Sequence, residues 1–308
     1  MQRQRIGLIG LGSMGRGIGQ NLMKHGFPLT VYDANPAALE ALPGFGATAV
    51  ESPRAVAARS DVVLTVLPDG PDVEAIALGP DGLAEGARPG TIVVDCSTIA
   101  PATSRRIGAA LAERGIRMVD AAMGRSSPEA EAGTLLFMVG AEPDDFRAIE
   151  PVLRAVGSDI FHVGPPGHGI TLKLIHNLLS LTLLVASSEA LVLAGKAGLD
   201  LARTLEVLQA STTGNGHLRG TIPRQVLTGD YTPGFRTVLG QKDMRLGREL
   251  AGSLNVPLQT LALAGELFTA TVAKGRGDWG CGAVATVLEE IVGLRLADLA
   301  AEQRGAAG

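Results

Sequence analysis

Aromatic residues make up only 3% of this 308-residue chain, with one tryptophan and two tyrosines. Stacking platforms for unpaired bases are therefore missing. Basic residues are no more plentiful. The 27 Lys and Arg against 31 Asp and Glu leave a net charge of -4, and their scatter gives no basic face to track a phosphate backbone, so a nucleic-acid partner is not expected. Cysteine occurs twice, at Cys96 and Cys281, far apart and without CxxC spacing. That argues against a disulfide framework or a zinc site, and it suits a reducing cytoplasm. No long apolar core with a small-residue cleavage site follows Met1, so a cytoplasmic location is expected. The most apolar stretch, after Leu172, carries Lys173, His176, Asn177 and Ser180 within nine residues. It reads as a buried core helix better than as a membrane span.

What is present is enough apolar residue, 46% of the chain, to core two domains of ordinary size. Up to about residue 163, β-branched runs alternate with helix-like stretches, the signature of βαβ units and a parallel sheet. The runs are Ile6 to Ile9, Leu29 to Tyr32, Val62 to Leu67, Ile92 to Asp95, Met118 to Asp120, Leu135 to Val139 and Ile160 to Val163. Helices are expected over Met14 to His25, Asp72 to Ala77, Ala102 to Arg114 and Pro143 to Ala155. After Gly164-Pro165-Pro166-Gly167-His168-Gly169 the strand signals stop and a long helix is expected from Leu172 to Ala197. The expected architecture is an α/β Rossmann domain, a doubly wound parallel sheet, over residues 1–164. A mostly helical second domain would occupy 165–299, and a frayed tail 300–308.

Gly10-Leu11-Gly12-Ser13-Met14-Gly15 fits GxGxxG immediately after an apolar strand and before a helix, with Asp33 18 residues beyond Gly15. In that context the first glycine allows a tight turn, the second admits a pyrophosphate and the third allows close helix packing, while the helix N-terminus faces the phosphates. A carboxylate at Asp33 can accept both ribose hydroxyls and would repel a 2′-phosphate. With Ala34 and Asn35 following it, no arginine waits for that phosphate, so NAD is expected in preference to NADP. Leu67, Pro68 and Thr98 end later strands at the edge where such sheets bind ligands; ordinary strand-end turns would look the same.

An enzyme that passes a hydride to a carbonyl needs a proton donor and a substrate anchor. Neither Tyr32 nor Tyr231 begins a YxxxK pair, and zinc ligands are missing, so no metal is expected. His162, His168 and His176 lie near the hinge, where packing or hydrogen-bonding roles are the commoner use. Lys173 is the better acid. On a helix it shares a face with Asn177 and Ser180 by the i, i+4, i+7 rule, and burial would depress an amine from its solution pKa of about 10.4. By spacing alone a lysine snorkelling from a helix edge fits equally. Asp120 to Glu129 leaves a strand and enters a short helix, capped either by Ser127 before Pro128 or by a Ser126/Glu129 box. The Arg125 guanidinium, the hydroxyls of Ser126 and Ser127 and the free N–H groups there form an oxyanion receptor, unless Arg125 pairs with Glu129 or Glu131 at the surface.

These motifs together resemble the β-hydroxyacid dehydrogenase family over almost the whole chain. Ile9 to Gly15 resembles its cofactor motif, Asp120 to Leu135 its substrate motif, Gly167 to Asn177 its catalytic GxGxxxKxxxN and Phe235 to Asp243 its C-terminal motif. The resemblance implies Lys173 as general acid/base and Lys242 reaching cofactor and substrate. Where most members read D-A-P-V-S-G-G, this chain has Gly124, Arg125 and Ser126 at the S-G-G positions. That form, with Thr212 to His217 later, is similar to members acting on a sulfonated aldehyde in sulfosugar breakdown. It implies NADH-dependent reduction of 3-sulfolactaldehyde to 2,3-dihydroxypropane-1-sulfonate. Ala122 stands where proline is usual, and His176 where a second asparagine is expected and where the substrate hydroxyl would be held. A carboxylate semialdehyde such as succinic or tartronate semialdehyde is the alternative substrate, and a non-catalytic NAD-binding module the alternative class. A homo-oligomer, dimer or tetramer, is expected from the apolar helical domain.

Overall fold

The computed structural model describes residues 3–40 and 46–306, and the chain divides into two compact units, Met1–Lys173 and Leu174–Gly308. In the first unit, eight strands form one sheet: β1 Ile6–Ile9, β2 Leu29–Tyr32, β3 Thr48–Ala49, β4 Val62–Thr65, β5 Ile92–Asp95, β6 Arg117–Gly124, β7 Leu135–Gly140 and β8 Gly157–Gly164. Their order is β3-β2-β1-β4-β5-β6-β7-β8. The chain reverses direction across the sheet between β1 and β4, which puts a ligand crevice at the carboxyl ends of those strands. β1, β4 and β5 are buried along their whole length, the near-continuous apolar pattern of strands covered on both faces. Two clusters fill the two sides of the sheet, one around Leu8, Leu64 and Phe137, the other around Ile9, Val63 and Ile107.

All seven expected strands and four expected helices of this unit are present, with ends shifted by a few residues. One joint departs from a wholly parallel sheet, because β6 and β7 pair antiparallel, Ala121 opposite Val139 and Gly124 opposite Leu136. Only residues 125–134 connect them, fewer than the dozen or so that a parallel crossover takes. The hairpin carries β6 four residues past Asp120, its expected end. β3 escaped notice because it is two exposed residues long.

The second unit is helical. The long helix His168–Lys196 begins four residues earlier than expected and runs across the division between the units. It is long and apolar enough to cross a membrane by length and composition, yet half of its most apolar window is buried inside the protein. Leu178, Leu181, Leu184 and Leu191 from it meet Leu205, Ile222, Met244, Phe268 and Val284 in one core. A Cβ on Gly247 would lie 2.6 Å from Leu178, so the helix Thr237–Ser253 closes on the long helix at that turn only because glycine stands there. The expected frayed tail is instead the helix Leu296–Ala306, with Leu296 and Ala300 buried and Gln303 bonded to Leu199 and Leu201. Two buried side chains four residues apart give it a packed face; residues 307 and 308 lie outside the described residues. The domain boundary, expected after Gly164, falls after Lys173, since the first turn of the long helix stays bonded to the sheet through Asp120.

Candidate active site

The Gly-rich turn is built as its spacing requires. Gly10 has φ +92°, and a Cβ there would sit 2.2 Å from the carbonyl oxygen of Val66. At Gly15 a Cβ would come within 1.9 Å of the Gly10 carbonyl oxygen, so the helix Ser13–Lys24 starts hard against the turn. At Gly12 nothing lies within 4 Å. The exposed backbone of Gly12 and Ser13 at a helix N-terminus, with Met14 half-buried behind it, leaves the approach a pyrophosphate needs. Asp33 leaves β2 and accepts the Leu11 N–H at 2.6 Å and the Asn35 N–H at 2.7 Å, which fixes its carboxylate beside the same turn. Across the switch point the Leu67 N–H donates to Ser97 Oγ at 3.0 Å, tying the ends of β4 and β5 together next to Pro68 and Thr98. These residues fit a dinucleotide.

Beyond β6 the chain turns at Arg125, whose φ of +71° is unusual for a residue with a side chain. Ser126 caps the helix Ser127–Ala132, its N–H and Oγ both donating to Glu129 Oε2 at 2.9 Å, so the capping-box register is the one adopted. Gly124 is buried against Leu136. The Arg125 guanidinium does not meet Glu129 or Glu131. It donates to Asp159 Oδ2 at 2.6 Å, to Ser158 Oγ at 2.8 Å and to the Thr134 carbonyl. Ser158 and then Arg125 hold the Asp159 carboxyl below its usual range. With side chains 35% and 41% exposed, the Arg125–Asp159 pair is a surface one. Asp159 sits 34 residues away on β8, out of reach of any local pattern.

Lys173 is only 9% exposed, one turn beyond a buried carboxylate, Asp120, which accepts the N–H groups of Gly167 and, at 2.7 Å, Ile170. Burial lifts the Asp120 pKa while those two N–H groups pull it down. One turn further along the helix, in the second unit, Asn177 is 6% exposed and donates its amide to Asp243 Oδ2 at 2.6 Å. Its Oδ1 lies 2.9 Å from His176 Nδ1. Lys242 Nζ is 3.4 Å from the other Asp243 oxygen, so Lys242 and Asn177 share one buried carboxylate. Ser180 Oγ is 2.9 Å from His217 Nε2, and His217 Nδ1 is 3.0 Å from Thr221 Oγ1. Burial lowers the His217 pKa, more than the bond to Ser180 raises it.

Sequence reasoning passed over Asp243, Asp120, Asp159 and His217 as site residues. Asp243 and Asp120 were signalled by their places inside the two motifs, and His217 by its glycine-flanked turn. Both cysteines are free and buried, and burial pushes the Cys281 thiol up to about 12, which disfavours the thiolate that a nucleophile needs. Among the described residues no group of His, Cys, Asp or Glu could hold a metal ion.

Comparison with known proteins agrees with this layout. Residues 5–164 match the family model for the NAD-binding domain of 6-phosphogluconate dehydrogenase, and residues 167–288 match that described as NAD-binding of NADP-dependent 3-hydroxyisobutyrate dehydrogenase. The 2-(hydroxymethyl)glutarate dehydrogenase of Eubacterium barkeri is 37% identical, over 94% of this chain and 96% of its own. The 3-sulfolactaldehyde reductase of Escherichia coli is 34% identical, over 93% and 95%. The crystal structure of a 3-hydroxyisobutyrate dehydrogenase from Salmonella typhimurium superposes with a TM-score of 0.84 at 31% identity, over 92% of this chain and 99% of its own. A turn shaped for a dinucleotide and a buried lysine on the long helix thus sit in a chain aligned nearly end to end with such enzymes: it belongs to the β-hydroxyacid dehydrogenase family and is a nicotinamide-dependent oxidoreductase.

Proposed function

We propose that this chain reduces a small anionic aldehyde with NADH, and that 3-sulfolactaldehyde is the foremost candidate substrate. The observation that carries the chemistry is Lys173, nine-tenths buried on the helix that also bears Asn177. When bound, the reduced nicotinamide supplies the hydride. Lys173 gives its proton to the carbonyl oxygen as that oxygen gains charge, and takes one back in the alcohol-oxidising direction. Asn177, held by Asp243, and Ser180, held by His217, orient the substrate chain. Asp33 beside the Gly-rich turn supports NADH over NADPH, because its carboxylate repels a 2′-phosphate.

For the sulfonate, support comes from Arg125. Its guanidinium is met by three acceptor oxygens, from a carbonyl, a hydroxyl and a carboxylate, and a sulfonate offers three. An exposed ion pair is worth only about 0–1 kcal/mol, so an incoming anion can displace Asp159 at small cost. The same pairing favours a second reading. If the guanidinium stays with Asp159, the backbone and hydroxyls near Gly124 and Ser126 are left to hold a carboxylate, as in a semialdehyde reductase. Steady-state kinetics with 3-sulfolactaldehyde, succinic semialdehyde and tartronate semialdehyde, each with NADH and NADPH, decides between them. The sulfonate is expected to give the highest kcat/KM with NADH, and a carboxylate leading by tenfold would overturn the choice. A cytoplasmic homo-oligomer acting in sulfosugar breakdown completes the proposal, the oligomer being supported by exposed Ile175, Leu179 and Leu193 on the long helix.

A further inference from the structure

Asp120 is 3% exposed and lies on β6 opposite Gly140 of β7, at the level where β5 ends in Asp95. Two glycines crowd its carboxylate: a Cβ on Gly140 would come within 2.6 Å of it, and one on Gly169 within 2.8 Å. Gly167 and Ile170 supply the N–H groups that it accepts. The two glycines of the Gly167-His168-Gly169 motif thus let the start of the long helix close onto a buried anion. Ile170 adds an apolar hold, fully buried in the core beneath the sheet. Lys173 follows three residues later, about 4.5 Å further along the axis and on the same face.

We infer that Asp120 is a positioning residue for Lys173, setting both where the lysine stands and how readily it carries its proton. The inference rests on the proposed role of Lys173. Two effects follow from one carboxylate. Its grip ties the first turn of the helix to the sheet, and a misplacement of about 1 Å can cost on the order of 100-fold in rate. Its charge sits at the positive end of the helix dipole, which otherwise disfavours an ammonium in the first turns. Other titratable groups around the grip include Asp95 on β5, Arg105 alongside Gly167, His168 against Gly164, His176 one turn beyond Lys173, and Arg117, Glu142 and Asp145, which line one cavity with Asp120. Asp95, at the neighbouring strand end, accepts Thr65 Oγ1–H and adds negative charge on the same side.

The test is Asp120→Asn, which keeps shape and one acceptor but loses the charge, alongside Gly169→Ala, which crowds the Met138 carbonyl and the carboxylate and keeps the charge. For Asp120→Asn, kcat for aldehyde reduction is expected to fall at least tenfold with the dissociation constant for NADH within twofold, and the alkaline limb of the kcat profile moves to lower pH by about one unit. For Gly169→Ala, kcat falls while that limb stays in place. A profile for Asp120→Asn that superposes on the wild type, with activity lost only in proportion to folded protein, overturns the inference, as does undiminished kcat. If Asp120→Asn does not fold, Gly169→Ala decides through kcat alone, full activity being the overturning result. Lys173→Ala separates the two levels: an active Lys173→Ala removes the proposed role of the lysine itself, whereas an inactive one beside a normal Asp120→Asn removes only this inference.

Discussion

Asn177 donates its amide to Asp243 over 2.6 Å, and both side chains are almost wholly buried, at 6% and 2% exposed. A carboxylate can only accept, so the bond dictates which way the amide faces: nitrogen to Asp243, oxygen to His176 and outward. The contact exists because Gly247, one turn beyond Asp243, lets two helices touch at Leu178, next to Asn177. Hydrogen bonds to a charged group contribute about 1.5–3 kcal/mol, so replacing Asp243 by alanine should cost about 10- to 150-fold in kcat/KM if the amide orients substrate. Asp243→Ala with unchanged kcat/KM would show the pair to be structural only. Lys242 shares Asp243, so if it reaches the cofactor as the resemblance implies, Asp243→Ala should also raise KM for NADH.

The Arg125–Asp159 pair makes an opposite pair of expectations. Arg125→Ala should raise KM for a sulfonated aldehyde by at least tenfold while leaving an uncharged aldehyde within twofold, since a charge-assisted bond is lost only for the anion. Asp159→Asn removes the competing carboxylate but keeps a neutral acceptor for the guanidinium, and KM for the sulfonate should fall or stay level. A rise in KM for Asp159→Asn, matched to Arg125→Ala, would mean that the pair builds the site and that the guanidinium does not leave Asp159 for the substrate.

How much of this was legible in the chain depends on the range of each interaction. The Gly10 to Gly15 turn follows from neighbours in sequence, and every feature of its three glycines could be stated beforehand, including which one stays open. Strands β1, β4 and β5 were equally plain, being short β-branched runs buried on both faces. The β6–β7 hairpin was not, because direction in a sheet depends on connection length as well as pattern, and the apolar alternation is blind to it. Lys173 and Asn177 could be found from helical spacing, but Asp120 and Asp243, which hold that helix, lie 50 and 66 residues from their partners. Arg125 shows the limit most clearly. Its motif drew attention to it, its backbone takes a positive φ, and its actual partner was set by the strand that packs beside it.

Asp33 offers a test of cofactor choice that leaves the turn intact. Its Oδ2 holds the Leu11 N–H, so Asp33→Asn keeps an acceptor there and removes only the charge that opposes a 2′-phosphate. The ratio of kcat/KM for NADH to that for NADPH should fall at least tenfold, mainly through a lower KM for NADPH. An unchanged ratio would mean that Asp33 supports the turn without reading the ribose, and that discrimination comes from elsewhere.

Glu289 gives a prediction for stability against pH. It is 5% exposed, and burial raises its pKa more than the Leu296 N–H and the nearby Arg295 and Arg276 lower it. Because the folded value lies above the unfolded one, the stabilising contribution is complete below the unfolded pKa of about 4.3 and is lost as pH rises through the folded value. Above the unfolded pKa, folding therefore works against the ionised carboxylate, because the site favours the neutral form. Glu289→Gln keeps the oxygen that accepts Leu296 N–H, at 2.9 Å in the native chain, and removes the charge. The variant should melt higher than the wild type at pH 7.5, by an amount on the order of 1 kcal/mol or less, and the gap should close by pH 4. Thermal denaturation of both proteins at the two pH values measures this. A variant that melts lower at pH 7.5 would show that the ionised form is the favoured one, held by the nearby Arg295 and Arg276.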